Sequence, residues 1–326
     1  MSEITNDIGA LYAFDVSATS GEARKLDLDD LPPLPEGSAG YRWVHLDLDH
    51  EGSRPWIETH TDAVVAASLT LDETRPRCVV HEDGLLLILR GVNLNPDSDP
   101  EDMVSIRLWV CGHLIISVRR RRLEAIAALR EKTEAGRGPR TVGAFLAALA
   151  SGLTERMAPV IDGLSDQVDA LEEASLDASE GLRAELAKLR RTTIALRRYV
   201  APQRDALSHL TLEGTHLFQE TETLSLRETL DQVTRLVEEM DAIRERCGIL
   251  HDQLADSRAE DMNRNMMVLS VVAAIFLPLS FLTGLLGVNV GGIPGADSPA
   301  AFAVLCIVML GLGGAITLLF RRLRWL

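Results

Sequence analysis

Two long apolar segments near the C-terminus constrain this chain more than any other feature of its sequence. Met266–Leu286 and Ala300–Phe320 are each 21 residues long and contain no Asp, Glu, Lys, Arg or His. As an α-helix at about 1.5 Å per residue, each would be about 31 Å long, which matches the hydrocarbon thickness of a bilayer. A buried core helix can be equally apolar, but two such segments in tandem predict a pair of transmembrane helices.

The positions of the basic residues predict how these helices are oriented. Arginines lie before the first span and after the second: Arg258, Arg264, Arg321, Arg322 and Arg324. The connection between the spans, residues 287–299, contains no Lys or Arg. By the positive-inside rule, both termini are expected in the cytoplasm and the connection outside. The first residues show no signal-peptide pattern, so a multi-pass protein of the inner (cytoplasmic) membrane is expected.

The charge is distributed very unevenly along the chain. The net charge is −15, of which residues 263–326 carry +3 and the remainder −18. Such an acidic cytoplasmic part argues against nucleic-acid binding and favours the attraction of cations. The four cysteines are scattered along the sequence, which is typical of a reducing compartment and not of a disulfide framework. They are Cys78, Cys111, Cys247 and Cys306.

The first 137 residues predict a cytoplasmic α/β domain. Short β-type runs alternate with polar turns, and we expect strands at 10–16, 41–47, 77–81, 85–93, 105–110 and 113–119. Helices are expected at 55–67 and 122–135. Residues 138–262 predict a helical hairpin and stalk, with helices at 146–174 and 181–199, the second limited by Pro202. The overall class is α+β with a membrane domain at 263–326.

A long helix is predicted to connect the cytoplasmic part to the membrane. From Leu224 onward, apolar residues recur at alternating spacings of four and three: Leu226, Leu230, Val233, Val237 and Met240. This period is typical of a coiled coil. Because no cluster of Pro or Gly interrupts the chain before the first span, we expect one helix over 224–286, on the order of 90 Å long.

One side of the predicted first span carries small or weakly polar residues. Read in steps of three and four, this side comprises Asn263, Met266, Ser270, Ala273, Leu277, Ser280, Gly284 and Gly287, and large apolar residues lie opposite. Small residues also allow close helix packing, which is the alternative use of such a stripe. A water-filled path is the functional interpretation, and it requires a homo-oligomer because two helices cannot enclose a pore. With no ionisable residue in either span, the path suits a hydrated divalent cation better than a proton relay.

The connection after the first span carries a short motif. The chain reads Gly287-Val288-Asn289 and continues VGGIPG. This resembles the CorA family of divalent-cation transporters, whose signature at this point is Gly-Met-Asn, followed by a short outer loop and a second span. Pro278 and the basic end RRLRWL also fit the family. Val288 departs from the signature methionine, which argues against magnesium, and together with VGGIPG it is similar to the zinc-transporting ZntB branch.

The resemblance implies an architecture and a set of roles. It implies a funnel-shaped homopentamer in which the long helices line the pore and the second spans lie outside. Asn289 would offer its side-chain carbonyl to the hydrated ion at the outer mouth, and Gly287 would bring backbone close to the axis. By position, Leu277 would form an apolar constriction and Asn263 would line the inner end.

Further metal ligands are candidates on the stalk. Cys247 and His251 are four residues apart on the predicted helix, with Asp252 adjacent, and zinc prefers thiolate, imidazole and carboxylate ligands. A packed cysteine beside a solvated histidine is the alternative. Asp252 matches an acidic ring near the inner pore of CorA-like proteins. Cys78 and His81 supply only two ligands at the end of a predicted strand, which favours a core or surface role.

These features lead to one main hypothesis and two alternatives. The main hypothesis is zinc transport through a pentameric pore in the lipid bilayer, with the metal as cargo and no resident cofactor. A magnesium or cobalt channel of the CorA type is the first alternative, and a membrane-tethered sensor or scaffold is the second. The residues leave import or export, and proton-coupled or passive flux, open. No phosphate-loop, metalloprotease or nucleophile-elbow motif occurs, so an enzyme is not expected.

Overall fold

A seven-stranded sheet and a series of long helices make up the protein. The computed structural model describes residues 10–27, 31–32, 40–175, 181–214, 217–288 and 298–323. The strands are β1 Ala10–Ser17, β2 Ala23–Lys25, β3 Gly40–Asp47, β4 Arg77–His81, β5 Gly84–Gly91, β6 Val104–Cys111 and β7 Leu114–Arg119. The helices are α1 Ser53–His60, α2 Ala63–Thr70, α3 Glu124–Glu134, α4 Val142–Ser175, α5 Leu182–Glu213, α6 Glu220–Leu286 and α7 Ala301–Arg322.

The sheet has the strand order β2-β1-β3-β7-β6-β5-β4. Its pairs are antiparallel except for β3 with β7, where Trp43 lies opposite Ile115 in parallel register. The central strands are buried along almost their whole length. Side chains of a strand alternate between faces, so this burial means that both faces of the sheet are covered. The α/β domain predicted from the strand spacing is confirmed.

Helices α1 and α2 cover one face of the sheet. Trp56, Ile57, Val65 and Leu69 pack in one cluster with sheet residues such as Val44, Leu46, Ile116 and Val118. The prediction of a single helix over 55–67 is wrong, because α1 ends before Thr61, whose backbone is extended. Asp62 then caps α2, with its carboxylate accepting hydrogen bonds from the amides of Val64 and Val65.

Helices α4 and α5 cover the other face. Phe145 of α4 packs edge-on against Trp43 of β3, with ring centroids 4.9 Å apart, and α5 contacts β4 and β5. The prediction that Pro202 limits α5 is wrong, because the helix continues to Glu213 with Pro202 inside it. Val200, Gln203 and Leu207 remain buried around the proline. Tertiary burial of this face therefore offsets the hydrogen bond that proline cannot make.

Helix α6 is a single helix of 67 residues, and the prediction of a long helix reaching Leu286 is confirmed. It begins at Glu220, four residues before the predicted start. The chain divides into two compact units, Met1–Leu250 and His251–Leu326, so the division falls inside α6. Among the described helices, α4, α6 and α7 are long and apolar enough to cross a membrane. Half of the most apolar stretch of α4 is buried inside the first unit, whereas the most apolar stretch of α7 is not buried at all.

Candidate functional site

The side of α6 that was predicted to line a pore is exposed in the protomer. Every position of the row, Asn263, Met266, Ser270, Ala273, Leu277, Ser280, Gly284 and Gly287, is exposed. The side chain most out of place in water is Leu277, which is 75% exposed although it is fully apolar. Leu277 belongs to an extended apolar surface that also includes exposed Leu269, Phe276 and Phe281, and such a surface requires a bilayer or another copy of the chain around it.

The opposite side of the same helix packs against α7. Val271 is buried, and Ile275, Leu279 and Leu282 are partly buried. A Cβ added to Gly313 of α7 would lie 3.9 Å from Cδ1 of Leu279, an ordinary van der Waals distance. The small residue at 313 therefore permits close approach of the two helices. The second span lies against part of the apolar side, where Leu269, Phe276 and Phe281 remain exposed, and it leaves the small and polar row uncovered.

The first span ends in a turn that requires glycine. The amide of Gly287 donates a hydrogen bond to the carbonyl of Thr283, 2.9 Å away, and the Thr283 hydroxyl donates to the carbonyl of Ser280 at 3.0 Å. A Cβ at position 287 would lie 2.9 Å from the Thr283 oxygen, closer than real Cβ atoms approach. Val288 follows and is exposed. Asn289, the third residue of the motif, lies outside the described residues.

The candidate ligands on the stalk are not gathered into a metal site. Cys247 is fully buried in the first unit, and burial raises the pKa of its thiol, so the thiolate that zinc prefers is disfavoured. In the second unit, Nδ1 of His251 lies 3.4 Å from Oδ1 of Asp252, and both side chains are largely exposed. Within the described residues, no group of three ligands includes any of these residues. Their proposed roles remain predictions.

One group of three possible ligands occurs where the sequence suggested only two. Asp62, His81 and Glu82 place ligand atoms within 4.8 Å of one another, and Nε2 of His81 is 3.3 Å from Oδ1 of Asp62. Cys78, considered as a partner of His81, is not in the group, and burial raises the pKa of its thiol to about 12. The same Asp62 oxygen also caps α2, so this member of the group has a structural role without a metal.

Comparison with known proteins agrees with this arrangement. The sequence model of the CorA-like Mg2+ transporter protein family matches residues 38–322. The chain belongs to the CorA family. It is 40% identical over 332 residues to the divalent cation transporter CmaX of Pseudomonas aeruginosa, covering 99% of both chains. It is also 37% identical over 287 residues to the zinc transport protein ZntB of Pectobacterium carotovorum, covering 87% of this chain and 88% of the relative.

Solved structures share the fold. The structure of full-length CmaX superposes with a TM-score of 0.82 at 38% identity and covers 98% of this chain and 99% of CmaX. The complete CorA magnesium transporter of Methanocaldococcus jannaschii gives a TM-score of 0.79 at 20% identity, over 97% of this chain and 98% of that one. The resemblance found in the motif after the first span is thus confirmed.

These findings establish the coarse function. This member of the CorA family is a divalent cation transporter and a membrane protein. Members of the family are transporters, so the expectation that the chain is not an enzyme is confirmed. The tether without transport, the second alternative from the sequence, is disfavoured by the same findings.

Proposed function

We propose that the protein transports hydrated Zn2+ through a pore at the centre of a homopentamer in the inner membrane. The observation that carries the proposal is the side of α6 left uncovered by α7: in the described part of the protomer, the small and polar residues on one side of the first span are all exposed. Two helices enclose no pore, so copies of the first span are needed to surround one. A lipid-facing surface has no use for the polar groups of Asn263, Ser270 and Ser280.

The pore-lining residues follow from this row. From the inner end outward they are Asn263, Met266, Ser270, Leu277, Ser280 and Gly284, with Leu277 as an apolar constriction. Gly287, Val288 and Asn289 form the outer mouth, where the Asn289 side-chain oxygen accepts hydrogen bonds from the water shell of the ion. Gly287 supports this assignment because its turn excludes a side chain. Hydroxyl, amide and carbonyl groups suit a cation that keeps its water.

Zinc is proposed as the cargo on two grounds. The ZntB relative, a zinc transport protein, is 37% identical over most of both chains, and valine replaces the methionine of the CorA signature at position 288. A magnesium or cobalt channel is the second candidate, favoured by the description of the matching family. The arginines before the first span and after the second support cytoplasmic placement of both termini.

Flux measurements on the purified protein in proteoliposomes test the cargo. Influx of Zn2+, Mg2+ and Co2+ is followed with fluorescent indicators, with and without a pH gradient. We expect zinc flux to exceed magnesium flux, and magnesium flux greater than zinc flux would refute the zinc assignment. Dependence on the pH gradient distinguishes proton-coupled from passive transport. Asn289→Ala is expected to lower zinc flux strongly. In a protein that only tethers, this substitution would leave the function unchanged.

A matched pair of substitutions tests the pore-lining row. Ala273 lies in the row and Ala315 lies on α7, and both are exposed in the protomer. Ala273→Leu places a large apolar side chain in the proposed path and is expected to reduce zinc flux at least tenfold. Ala315→Leu makes the same chemical change on the second span and should leave flux close to that of the unmodified protein. Equal effects of the two variants would show that this row does not line the path.

A further inference from the structure

Four arginines converge on one cavity of the cytoplasmic sheet domain. The cavity has a volume of about 290 Å3 and is lined by Arg90 of β5, Arg107 of β6, and Arg120 and Arg121 just after β7. We call it the arginine pocket. Three carboxylates also line it, which leaves the lining with one net positive charge. Such a concentration of arginine is notable in a chain whose net charge is −15.

Arg107 is the most deeply buried member of the arginine pocket. Its side chain is only 1% exposed. Nη2 donates to the carbonyl of Leu71 at 2.9 Å, but within the described part of the chain the buried Nε and Nη1 atoms have no hydrogen-bond partner. A buried guanidinium with unpaired donors is costly, because water no longer solvates the charge and no acceptor replaces it. The two atoms are closed off from solvent, so an acceptor would reach them only after a small movement of the lining side chains.

The other arginines increase this cost. Burial, and then repulsion from Arg120 and Arg90, lower the pKa of Arg107 to about 10. Arg90 is fixed by hydrogen bonds from Nη1 to the Met103 carbonyl and from Nη2 to the Thr74 carbonyl, each 2.7 Å long. It cannot turn away from Arg107 without breaking them. A mobile anion would relieve this repulsion between fixed charges.

The nearby carboxylates do not relieve it. Asp72 accepts a hydrogen bond from Nη2 of Arg120 and lies mostly in solvent. Glu101 accepts from the Thr192 hydroxyl at 2.8 Å. None of the three carboxylates, the third being Asp102, makes a hydrogen bond to Nε or Nη1 of Arg107, which have no partner among the described residues. The acids therefore shape the rim of the arginine pocket and leave its deepest donors unpaired.

We propose that the arginine pocket binds a phosphate-type oxyanion, as inorganic phosphate or as the phosphate group of a larger ligand. Guanidinium groups match the several acceptors of a phosphate with paired hydrogen bonds, and arginine is the side chain best suited to this recognition. The volume is just below the usual range for small-molecule sites, which suits a small anion. Arg121 is an exposed member of the lining. The proposal is independent of the transported ion, because it concerns ligand binding by the cytoplasmic domain.

Isothermal titration calorimetry on the full-length protein in nanodiscs of uncharged lipid tests this assignment. Inorganic phosphate, ADP and chloride are titrated at constant ionic strength and without divalent metal. We expect saturable binding of phosphate or ADP and none of chloride. Tighter binding of ADP would identify a nucleotide phosphate as the source, and equal binding would identify free phosphate. No saturable binding of either would overturn the proposal.

Two neighbouring arginines give a matched pair of variants. Arg121 lines the arginine pocket, whereas Arg122 does not, and both are exposed, so neither substitution removes buried packing. Arg121→Ala is expected to weaken phosphate binding about threefold or more, through loss of a charged donor. Arg122→Ala should leave phosphate binding unchanged. Equal weakening by the two variants would show that only the general surface charge matters, and would overturn the proposal.

A variant of the buried residue completes the test. Arg107→Met removes the unpaired donors and should abolish phosphate binding, with folding checked by circular dichroism. If this variant does not fold, the comparison of Arg121 with Arg122 decides the question. An acidic side chain from another copy of the chain is the competing occupant. In that case Arg121→Ala would change the oligomeric state in light scattering without any heat of phosphate binding, which would also overturn the proposal.

Discussion

The guanidinium of Arg246 on α6 donates two hydrogen bonds to the carboxylate of Glu172 on α4, 2.8 Å from Nε to Oε1 and 2.5 Å from Nη2 to Oε2. Arg246 also donates to Asp169, on the same side of α4. Paired hydrogen bonds fix direction as well as distance. This contact therefore sets how the cytoplasmic part of α6 lies along α4.

A double-mutant cycle measures the strength of this contact. Glu172→Gln, Arg246→Met and the combined variant are compared by thermal unfolding of the full-length protein. Because both side chains are partly exposed, we expect a coupling free energy of about 0.5–1 kcal/mol, the range of exposed ion pairs with good geometry. A coupling indistinguishable from zero would mean that the two hydrogen bonds contribute nothing to stability.

The same pair has a defined pH dependence. The hydrogen bonds from Arg246 hold the pKa of Glu172 below its usual value. A carboxylate with a lowered pKa stabilises the fold above its unfolded pKa of about 4.3, and this contribution is lost as pH falls further. Unmodified protein should therefore lose more stability than Glu172→Gln between about pH 5 and pH 3.

His45 predicts a second pH effect, at higher pH. Burial, and then repulsion from Arg119 and Arg130, hold the pKa of His45 well below its usual range. Its Nδ1 lies 2.7 Å from the Ser117 hydroxyl, while Nε2 has no hydrogen-bond partner among the residues that the structure describes. Below pH 6.5 the histidine binds a proton in the unfolded chain but not in the folded one. The free energy of unfolding should therefore fall by up to about 1.4 kcal/mol per pH unit.

The variant His45→Phe isolates this effect, because it keeps an aromatic side chain at this position and removes the ionisable group. The free energy of unfolding is measured for both proteins by urea denaturation from pH 7.5 to 5. The difference between them should change steadily below pH 6.5 and stay constant above it. Parallel curves throughout this range would contradict the assignment of a buried, neutral imidazole.

Two glycines with different surroundings provide a stability test for the sheet domain. A Cβ on Gly84 would lie 2.2 Å from the ring of Trp109 and 2.9 Å from the Val110 carbonyl, whereas one on Gly163 would meet nothing within 4 Å. Gly84→Ala is expected to destabilise the protein by about 1–3 kcal/mol through overpacking. Gly163→Ala, inside α4, should stabilise it by about 0.5–1 kcal/mol through reduced backbone entropy. Thermal unfolding followed by tryptophan fluorescence measures both, and the same sign for the two would contradict this structure.

The parts of the fold that could be predicted are those with local signals. Two uncharged apolar runs identified the end of α6 and α7, and a heptad period identified the long helix. The division between α1 and α2 at Thr61 and Asp62 was not predicted, because the apolar pattern of the sequence continues across this helix cap. Pro202 was misread because burial of α5 against the sheet is a tertiary effect, which local propensity does not contain.

The candidate site was predictable to a similar degree. The period of the first span distinguished its small and polar side from its apolar side, but no sequence feature states which side the second span covers. Contact between Leu279 and Gly313 supplies that information. The proximity of Asp62 to His81 depends on two separate chain segments, whereas that of Arg107 to Arg120 depends on the register of the hairpin formed by β6 and β7. Asn289 lies outside the described residues, so its role stays a prediction from the motif.

The exposed carboxylate of Asp252 gives a final prediction about the acidity of the cytoplasmic part. In the proposed homopentamer, copies of this residue on α6 would attract cations to the inner end of the pore. Its side chain is 84% exposed, so the attraction acts through water and is screened by salt, with a Debye length of about 30 Å at 0.01 M and about 8 Å at 0.15 M. Asp252→Asn should therefore lower zinc flux about twofold at 0.01 M salt and have little effect at 0.15 M.

Flux in proteoliposomes at the two salt concentrations measures this effect. Asp252→Glu keeps the charge and is the matched control, and it should behave like the unmodified protein at both. His251→Gln separates the field of the carboxylate from direct coordination by the neighbouring imidazole. If Asp252→Asn and His251→Gln lower flux equally at both salt concentrations, the two residues act as metal ligands, and attraction by the acidic surface is not the cause. A loss confined to Asp252→Asn and to low salt would establish that the negative charge concentrates the cation at the pore.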